Sequence, residues 1–253
     1  MRALAISASL GLSVLLSMMV ETRLLAQVSD PPRVTETAFE LAGGGEIRYG
    51  ISIPAGYDGS VDNERPLILA LHPGGRSPYY GSNFMQSIVE PALRSWEAVI
   101  VAPDVPTRSW ANAESEQAIL DLLEEVLGSY TIDHDKILVT GFSMGGRGTW
   151  YLATRHADLF TGAIPIAASR GNDPLEGLAG IPVHLIHSPD DEVVPYGPAE
   201  ATVKMLEDRG HPVQLISLAG ASHYQMGDYI APLRAAGEWM RRHWQTEETG
   251  VGR

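Results

Sequence analysis

The stretch "KILVTGFSMGGRGTW", residues 136 to 150, decides the fold, because an apolar run leads directly into a serine set among glycines. "KILVTG" is typical of a buried strand, and a helix is predicted to follow through about His156. Ser143 lies between them, with Gly141 and Gly145 two positions to either side. A sharp strand-to-helix turn holds such a hydroxyl out as a nucleophile, and side chains at the glycine positions would collide in it.

The alternative interpretation is a glycine-rich turn in which the serine is incidental. The chain contains 26 glycines, so a single G-x-S-x-G match is weak. The remaining sequence must therefore supply the partners that a serine nucleophile needs.

Strand-like and helix-like segments alternate around this turn. Strands separated by helices predict an α/β fold with a mostly parallel central sheet and helices on both faces. The predicted strands include 66–72, 97–104, 136–141, 160–168, 181–188 and 212–220, and the predicted helices include 113–130, 197–210 and 229–244.

The front of the domain is predicted to be an antiparallel hairpin, since two alternating segments within 37–54 flank the three glycines at 43–45. The interval between Ala168 and Ile181 is a normal connection length, so no cap domain is expected.

The N-terminus predicts export. Residues 4–20 form an apolar run after Met1 and Arg2, and Ala26 offers a small residue for cleavage. We therefore expect a signal peptide over 1–26, a linker over 27–38, a catalytic domain over 39–253 and a periplasmic or secreted protein. An uncleaved membrane anchor is the alternative.

The composition of the chain indicates a globular domain and limits the partners and metal sites that it can have. The chain of 253 residues is 44% hydrophobic and 19% charged, as is typical of a globular domain. Its net charge of −13 argues against nucleic acid and anionic membranes as partners. Without cysteine, an H-E-x-x-H motif or paired histidines, no metal site is expected.

The general base is predicted to be His223. A serine hydroxyl needs an adjacent base near neutral pH, and eight histidines are available. His223 lies in "LAGASHYQMG", directly after the last predicted strand, at the sheet edge where α/β proteins build their sites.

The acid is expected between the serine and the histidine in chain order. The segment "HSPDDEVVP" offers Asp190, Asp191 and Glu192, and the residues alone do not choose among them. For the oxyanion hole, one backbone N–H is expected from Met144 and a second from the loop "HPGGRS", residues 72 to 77.

From the hairpin to the last helix the chain resembles the α/β-hydrolase superfamily. "GFSMGGRGTWYLATRHADLF" and "IPVHLIHSPDDEVVP" are most similar to exported bacterial esterases and predicted peptidases. That group is near feruloyl and acetylxylan esterases, polyhydroxyalkanoate depolymerases and phospholipase/carboxylesterases.

The resemblance selects among the open positions. The H-G-x-x-D-x-x-V-P pattern of esterases implies Asp191 as the acid, with Asp190 as the alternative. The H-G-G-G type of loop implies Gly74 as the second oxyanion donor, with Gly75 as the alternative. The sequence departs from that loop at Pro73, which has no N–H to donate.

The resemblance implies a cofactor-free serine hydrolase that cleaves small or carbohydrate-linked carboxylic esters through an acyl-serine intermediate. A serine peptidase similar to prolyl oligopeptidases and a non-catalytic binding protein of the same fold are the alternatives. Trp110, Tyr79 and Tyr224 are candidate substrate contacts, because each is predicted to lie near the site; packing roles are the alternative.

Overall fold

The computed structural model describes residues 31 to 248, so the predicted signal peptide lies outside the described residues. Within that range the chain forms one sheet of eight strands covered by helices. The strands are β1 (Arg33–Glu40), β2 (Glu46–Ile53), β3 (Arg65–Leu71), β4 (Val99–Pro103), β5 (Ile132–Phe142), β6 (Gly162–Ile166), β7 (Val183–His187) and β8 (Val213–Ser217).

The strand order is β1-β2-β4-β3-β5-β6-β7-β8. All pairs from β4 to β8 are parallel, whereas β1 with β2 and β2 with β4 are antiparallel. The predicted fold class, a mostly parallel sheet with an antiparallel hairpin at its front, is confirmed.

Between residues 31 and 248, six α-helices cover the sheet. They are α1 (Tyr80–Phe84), α2 (Glu90–Leu93), α3 (Ala113–Ser129), α4 (Met144–Ala153), α5 (Gly197–Glu207) and α6 (Ile230–Glu248). A π-helical turn, Met85–Val89, joins α1 to α2. No helix in the described part of the chain combines the length and hydropathy of a membrane span.

The two faces of the sheet carry separate cores, which explains the continuous apolar strands. In β3, Leu67, Leu69 and Leu71 pack toward α3, α4 and α5. Ile68 and Ala70, pointing the other way, pack toward α1, α2 and α6. Because alternate side chains of a strand face opposite sides, a sheet covered on both faces needs apolar residues at every position.

The first strand begins earlier than the predicted domain boundary at residue 39. Residues 33 to 38, the second half of the predicted linker, pair in register with β2 and belong to the sheet. The hairpin turn contains Gly44 and Gly45 at φ +88° and +87°, a region that favours glycine.

The connection from β6 to β7, residues 167 to 182, contains a single short 3₁₀ turn, Leu175–Leu178. No cap domain is inserted there. The carboxyl ends of β3, β5, β7 and β8 therefore share one open edge, and the predicted site residues lie at or directly after these ends.

Candidate active site

Ser143 occupies a strained turn between β5 and α4. Its backbone has φ +54° and ψ −113°, which costs a non-glycine residue about 1–3 kcal/mol. Its N–H donates to the carbonyl of Ile166 on the neighbouring strand β6 at 2.9 Å. The turn is thus tied to the sheet, and the hydroxyl projects from its tip.

The flanking glycines are required by close backbone packing. A Cβ at Gly141 would lie 2.5 Å from the carbonyl carbon of Gly145 and 2.7 Å from the oxygen of Leu71. A Cβ at Gly145 would overlap with the same Leu71 oxygen. Helix α4 therefore begins directly against the end of β3.

The structure brings Ser143, His223 and Asp191 into contact. Nε2 of His223 lies 2.8 Å from Oγ of Ser143, and Nδ1 lies 2.8 Å from Oδ2 of Asp191. In the tautomer that satisfies both contacts, the serine hydroxyl donates to Nε2 and Nδ1–H donates to the carboxylate. His223 as a whole residue is only 6% exposed.

Asp191 is held as a carboxylate. Burial of its fully covered side chain raises its pKa, but hydrogen bonds from His223 and from the N–H groups of Val194 and Val193 outweigh burial, so the pKa is lowered. Oδ1 accepts both backbone bonds, at 2.9 Å from Val193 and 2.7 Å from Val194. The carboxylate is therefore ionised and fixed in orientation at neutral pH.

A second histidine contacts the same carboxylate. Nε2 of His187 lies 3.1 Å from the carbonyl of Val194 and 3.3 Å from Oδ2 of Asp191. Burial lowers the pKa of His187. A neutral His187 donates its Nε2–H to the carbonyl of Val194 and lies against the carboxylate without adding a positive charge.

The two neighbouring acids do not reach the imidazole ring; they contact the main chain around it. Oδ2 of Asp190 accepts the N–H of Gly220 at 2.6 Å. Glu192 accepts the hydroxyl of Ser222 and, at 3.0 Å, the N–H of His223. Of the three candidates, Asp191 alone has its hydrogen bond to the ring.

The loop after β3 lies beside the Ser143 turn. Leu71 pairs with Gly141 across the β3–β5 ladder, so residues 72–77 leave the sheet next to the nucleophile. Gly74 is exposed, and Met144, the first residue of α4, is half-buried. Both backbones are thus at the edge where an oxyanion hole is expected.

His72 anchors this loop, a role that is not among the predicted ones. Its Nδ1–H donates to the carbonyl of Pro73 at 2.5 Å, and its Nε2 accepts the N–H of Val105 at 3.0 Å. Burial lowers the pKa of His72 and keeps this neutral tautomer. Its sequence signal, a histidine ending a strand before two glycines, was present but does not reveal these partners.

The structure does not support Trp110 as a substrate contact, because the residue is only 1% exposed and cannot stack on a substrate. Its Nε1–H donates to the carbonyl of His72 at 3.0 Å, and its side chain fills the space left by Gly148. The residue lies on the predicted loop but points inward. It fixes the start of the loop 72–77 by packing and by this hydrogen bond.

The tyrosine candidates lie in different surroundings. Tyr79 is half-buried at φ +54°, and its N–H donates to Asp104. Tyr80, beside it, packs on the ring of His72 at 4.8 Å. Tyr224 is 75% exposed, with its ring 5.8 Å from that of His223. Only Tyr224 presents a large free surface next to the imidazole.

A cleft of about 270 Å³ borders the oxyanion loop. It is polar, with charged groups of both signs. Its lining includes Arg48, Gly75, Arg76, Ser77 and Asp104. Within residues 31–248, no three His, Asp or Glu side chains are grouped to hold a metal ion.

A family model described as phospholipase/carboxylesterase matches residues 96–235. The probable feruloyl esterase C of Aspergillus terreus is 31% identical over 182 residues, covering 64% of this chain and 62% of that protein. Feruloyl esterase C of Emericella nidulans is 29% identical over 164 residues, covering 58% and 56%. The chain thus spans about three fifths of the length of these curated relatives.

The fold also matches solved structures. The crystal structure of a thermostable esterase superposes with a TM-score of 0.72 at 25% sequence identity. The match covers 83% of this chain and 62% of that chain.

Proposed function

The chain belongs to the phospholipase/carboxylesterase family of α/β-hydrolases, and we propose that it hydrolyses carboxylic esters through an acyl-enzyme formed on Ser143. The observation that carries the proposal is the chain of two 2.8 Å contacts from Ser143 through His223 to Asp191. The family and the named relatives support the same class of reaction.

In the first half-reaction, Oγ of Ser143 attacks the ester carbonyl carbon while Nε2 of His223 takes the hydroxyl proton. Asp191 holds the Nδ1–H tautomer and stabilises the imidazolium. The proton then passes to the leaving alcohol as the ester C–O bond breaks, and the acyl group remains on Ser143.

In the second half-reaction, water attacks the acyl-enzyme. Nε2 of His223 takes a proton from the water and returns it to Ser143 as the acid departs. The backbone N–H groups of Met144 and Gly74 would stabilise the negative oxygen in both steps. The anchoring of the loop by His72 and Trp110 supports this role, because donors held rigidly need no reorganisation.

We further propose small or carbohydrate-linked esters as substrates. The site lacks a cap between β6 and β7, so it is open to a bulky alcohol group. The polar cleft with Arg48, Arg76 and Asp104 suits a hydroxylated alcohol. Exposed Tyr224 and half-buried Tyr79 are the proposed substrate contacts. A panel of aryl, acetyl-sugar, feruloyl and acyl-glycerol esters tests this proposal.

Export through the N-terminal segment is part of the same proposal. An Arthroderma benhamiae protein described as an uncharacterized secreted protein is 23% identical over 242 residues, covering 78% of this chain and 25% of that protein. Fractionation of cells that express the full chain, with N-terminal sequencing of the product, tests cleavage near Ala26.

The decisive experiment for the activity uses a fluorophosphonate probe and short p-nitrophenyl esters. The unchanged protein is expected to label at Ser143 and to hydrolyse the esters. Ser143→Ala is expected to lose labelling and several powers of ten in rate. Ser87→Ala, at an exposed helical serine, is the matched control. Full turnover by Ser143→Ala would refute the proposal.

A further inference from the structure

The hydrogen bonds within the loop that carries His223 are all long, between 3.2 and 3.5 Å. The loop connects β8 to the 3₁₀ turn Met226–Tyr229. Its internal bonds run from Ala221 N–H to the carbonyl of Leu218, from Ser222 N–H to the side chain of Gln225, from Tyr224 N–H to the hydroxyl of Ser222 and from Gln225 N–H to the carbonyl of Ser222. The position of the histidine therefore depends on contacts from outside the loop.

Glu192 supplies two of these contacts. One carboxylate oxygen accepts the hydroxyl of Ser222, and the other accepts the main-chain N–H of His223 at 3.0 Å. These bonds lower the pKa of Glu192, so both oxygens act as acceptors at neutral pH. Glu192 is thus bonded to the backbone of the residue whose ring is bonded to Asp191.

We infer that Glu192 is a positioning residue for His223, holding its main chain while the adjacent Asp191 holds its ring. Glu192 and Asp191 are neighbours in the turn after β7, so the main chain and the ring of His223 are both hydrogen-bonded to that turn. If His223 were held only at its ring, its main chain would be free to shift, and the contact from Nε2 to Ser143 would lengthen. The inference deepens the proposed function and rests on it.

Geometry and charge are separable at this position. Gln can accept the N–H of His223 through its amide oxygen and donate to Ser222, so it keeps the geometry without the charge. Ala removes both. The other groups facing the imidazole are Ser143, Asp191, His187 through that carboxylate, and the rings of Phe142 and Tyr224. None of these is substituted in either variant.

The test compares Glu192→Ala and Glu192→Gln with the unchanged protein, using kcat and KM for a p-nitrophenyl ester. Glu192→Ala is expected to lose about ten- to a hundredfold in kcat with KM unchanged, since a misplacement near 1 Å costs about that much. Glu192→Gln is expected to stay within about threefold in kcat. Glu200→Ala, an exposed carboxylate on α5, is the matched control.

The two variants separate the effect of charge from that of geometry, because both remove the negative charge and only Glu192→Ala removes the hydrogen bonds. The loss of kcat should appear in Glu192→Ala alone. Equal losses in both variants would mean that charge, and not positioning, is the role of Glu192, and would overturn the inference.

A readout that does not require turnover is the low-field proton resonance of Nδ1–H in His223. It should be sharp in the unchanged protein and in Glu192→Gln, and broadened or lost in Glu192→Ala. If Glu192→Ala does not fold, Ser222→Ala removes one of the two contacts and should give a smaller loss of kcat. Unchanged kcat and an unchanged resonance in Glu192→Ala would contradict the inference. Absence of Ser143 labelling in the unchanged protein would instead refute the proposed function, and the resonance would still decide the role of Glu192.

Discussion

Gly145 lies directly against the carbonyl oxygen of Leu71, so that any Cβ at position 145 would overlap with that oxygen. The same Cβ would lie 2.8 Å from the carbonyl oxygen of His72. This contact joins the first turn of α4 to the end of β3. It therefore sets the spacing between the Ser143 turn and the loop that carries Gly74.

Gly145→Ala is accordingly expected to reduce both stability and activity. The added Cβ would meet backbone atoms of Leu71 and His72, which cannot rotate away as a side chain can. Either the helix or the strand therefore has to shift, which destabilises the fold by about 1–3 kcal/mol. Gly128→Ala, in α3 with open space around the added Cβ, is the control and should be neutral or stabilising by up to about 1 kcal/mol. Urea denaturation and ester hydrolysis measure the two effects. A fully active and stable Gly145→Ala protein would show that the contact is not required.

Asp191→Asn should reduce kcat by roughly 10⁴, because an amide favours the wrong tautomer of His223. Asp190→Asn should cost less than about tenfold, because its contact is to the N–H of Gly220, which an amide oxygen can also accept. Steady-state rates of the two variants compare acids that are adjacent in the chain. A larger loss for Asp190→Asn would reverse the assignment.

Trp110→Phe should destabilise the fold by about 1–3 kcal/mol, because it leaves the buried carbonyl of His72 without its donor. Trp244→Phe is the control, since its indole donates to the part-buried carbonyl of Thr161, at the opposite end of the sheet. Both variants should lose stability in thermal denaturation. Only Trp110→Phe should lower kcat, with KM unchanged. A raised KM for aryl or sugar esters would restore Trp110 as a substrate contact.

His184 makes stability depend on acid. Burial without a partner for either ring nitrogen, and then the charge of Arg242, lower the pKa of His184 from 6.5 to about 4. Between these values the unfolded chain binds the proton and the folded chain does not, so stability is complete above pH 6.5 and falls as the pH decreases. The loss should approach about 3 kcal/mol near pH 4.

The measurement is the free energy of unfolding at pH 7 and near pH 4 for the unchanged protein and for His184→Leu. Other buried histidines contribute equally to both proteins, so the difference isolates His184. The variant should lose about 3 kcal/mol less on acidification. Identical pH dependence in the two proteins would mean that His184 is protonated without cost in the fold.

The fold class could be predicted from the sequence because its signals are local. Strands buried on both faces appear as unbroken apolar runs, and α3 shows helical spacing at Ile119, Leu122 and Val126. The segment of α1 and α2 had no such clear period. Its π-helical turn precedes Pro91, which has no N–H to donate within the helix. Element bounds also shifted, as at Arg33, where pairing with β2 extends the strand.

The sequence alone predicts Ser143 as the nucleophile and His223 as the general base, since each lies where a predicted strand ends. It also restricts the acid to three adjacent residues. Those three carboxylates have the same local chemistry, so the residue types alone do not show which one contacts the histidine. The resemblance to esterases favours Asp191. Only the tertiary structure decides which carboxylate reaches the ring, because that depends on how the end of β7 faces a loop 32 positions away. The inward orientation of Trp110 is likewise decided by distant partners, the carbonyl of His72 and the space at Gly148. Contacts between segments far apart in the chain do not change the pattern of apolar residues within either segment. For that reason the fold could be predicted from the sequence, whereas the pairing of side chains within the site could not.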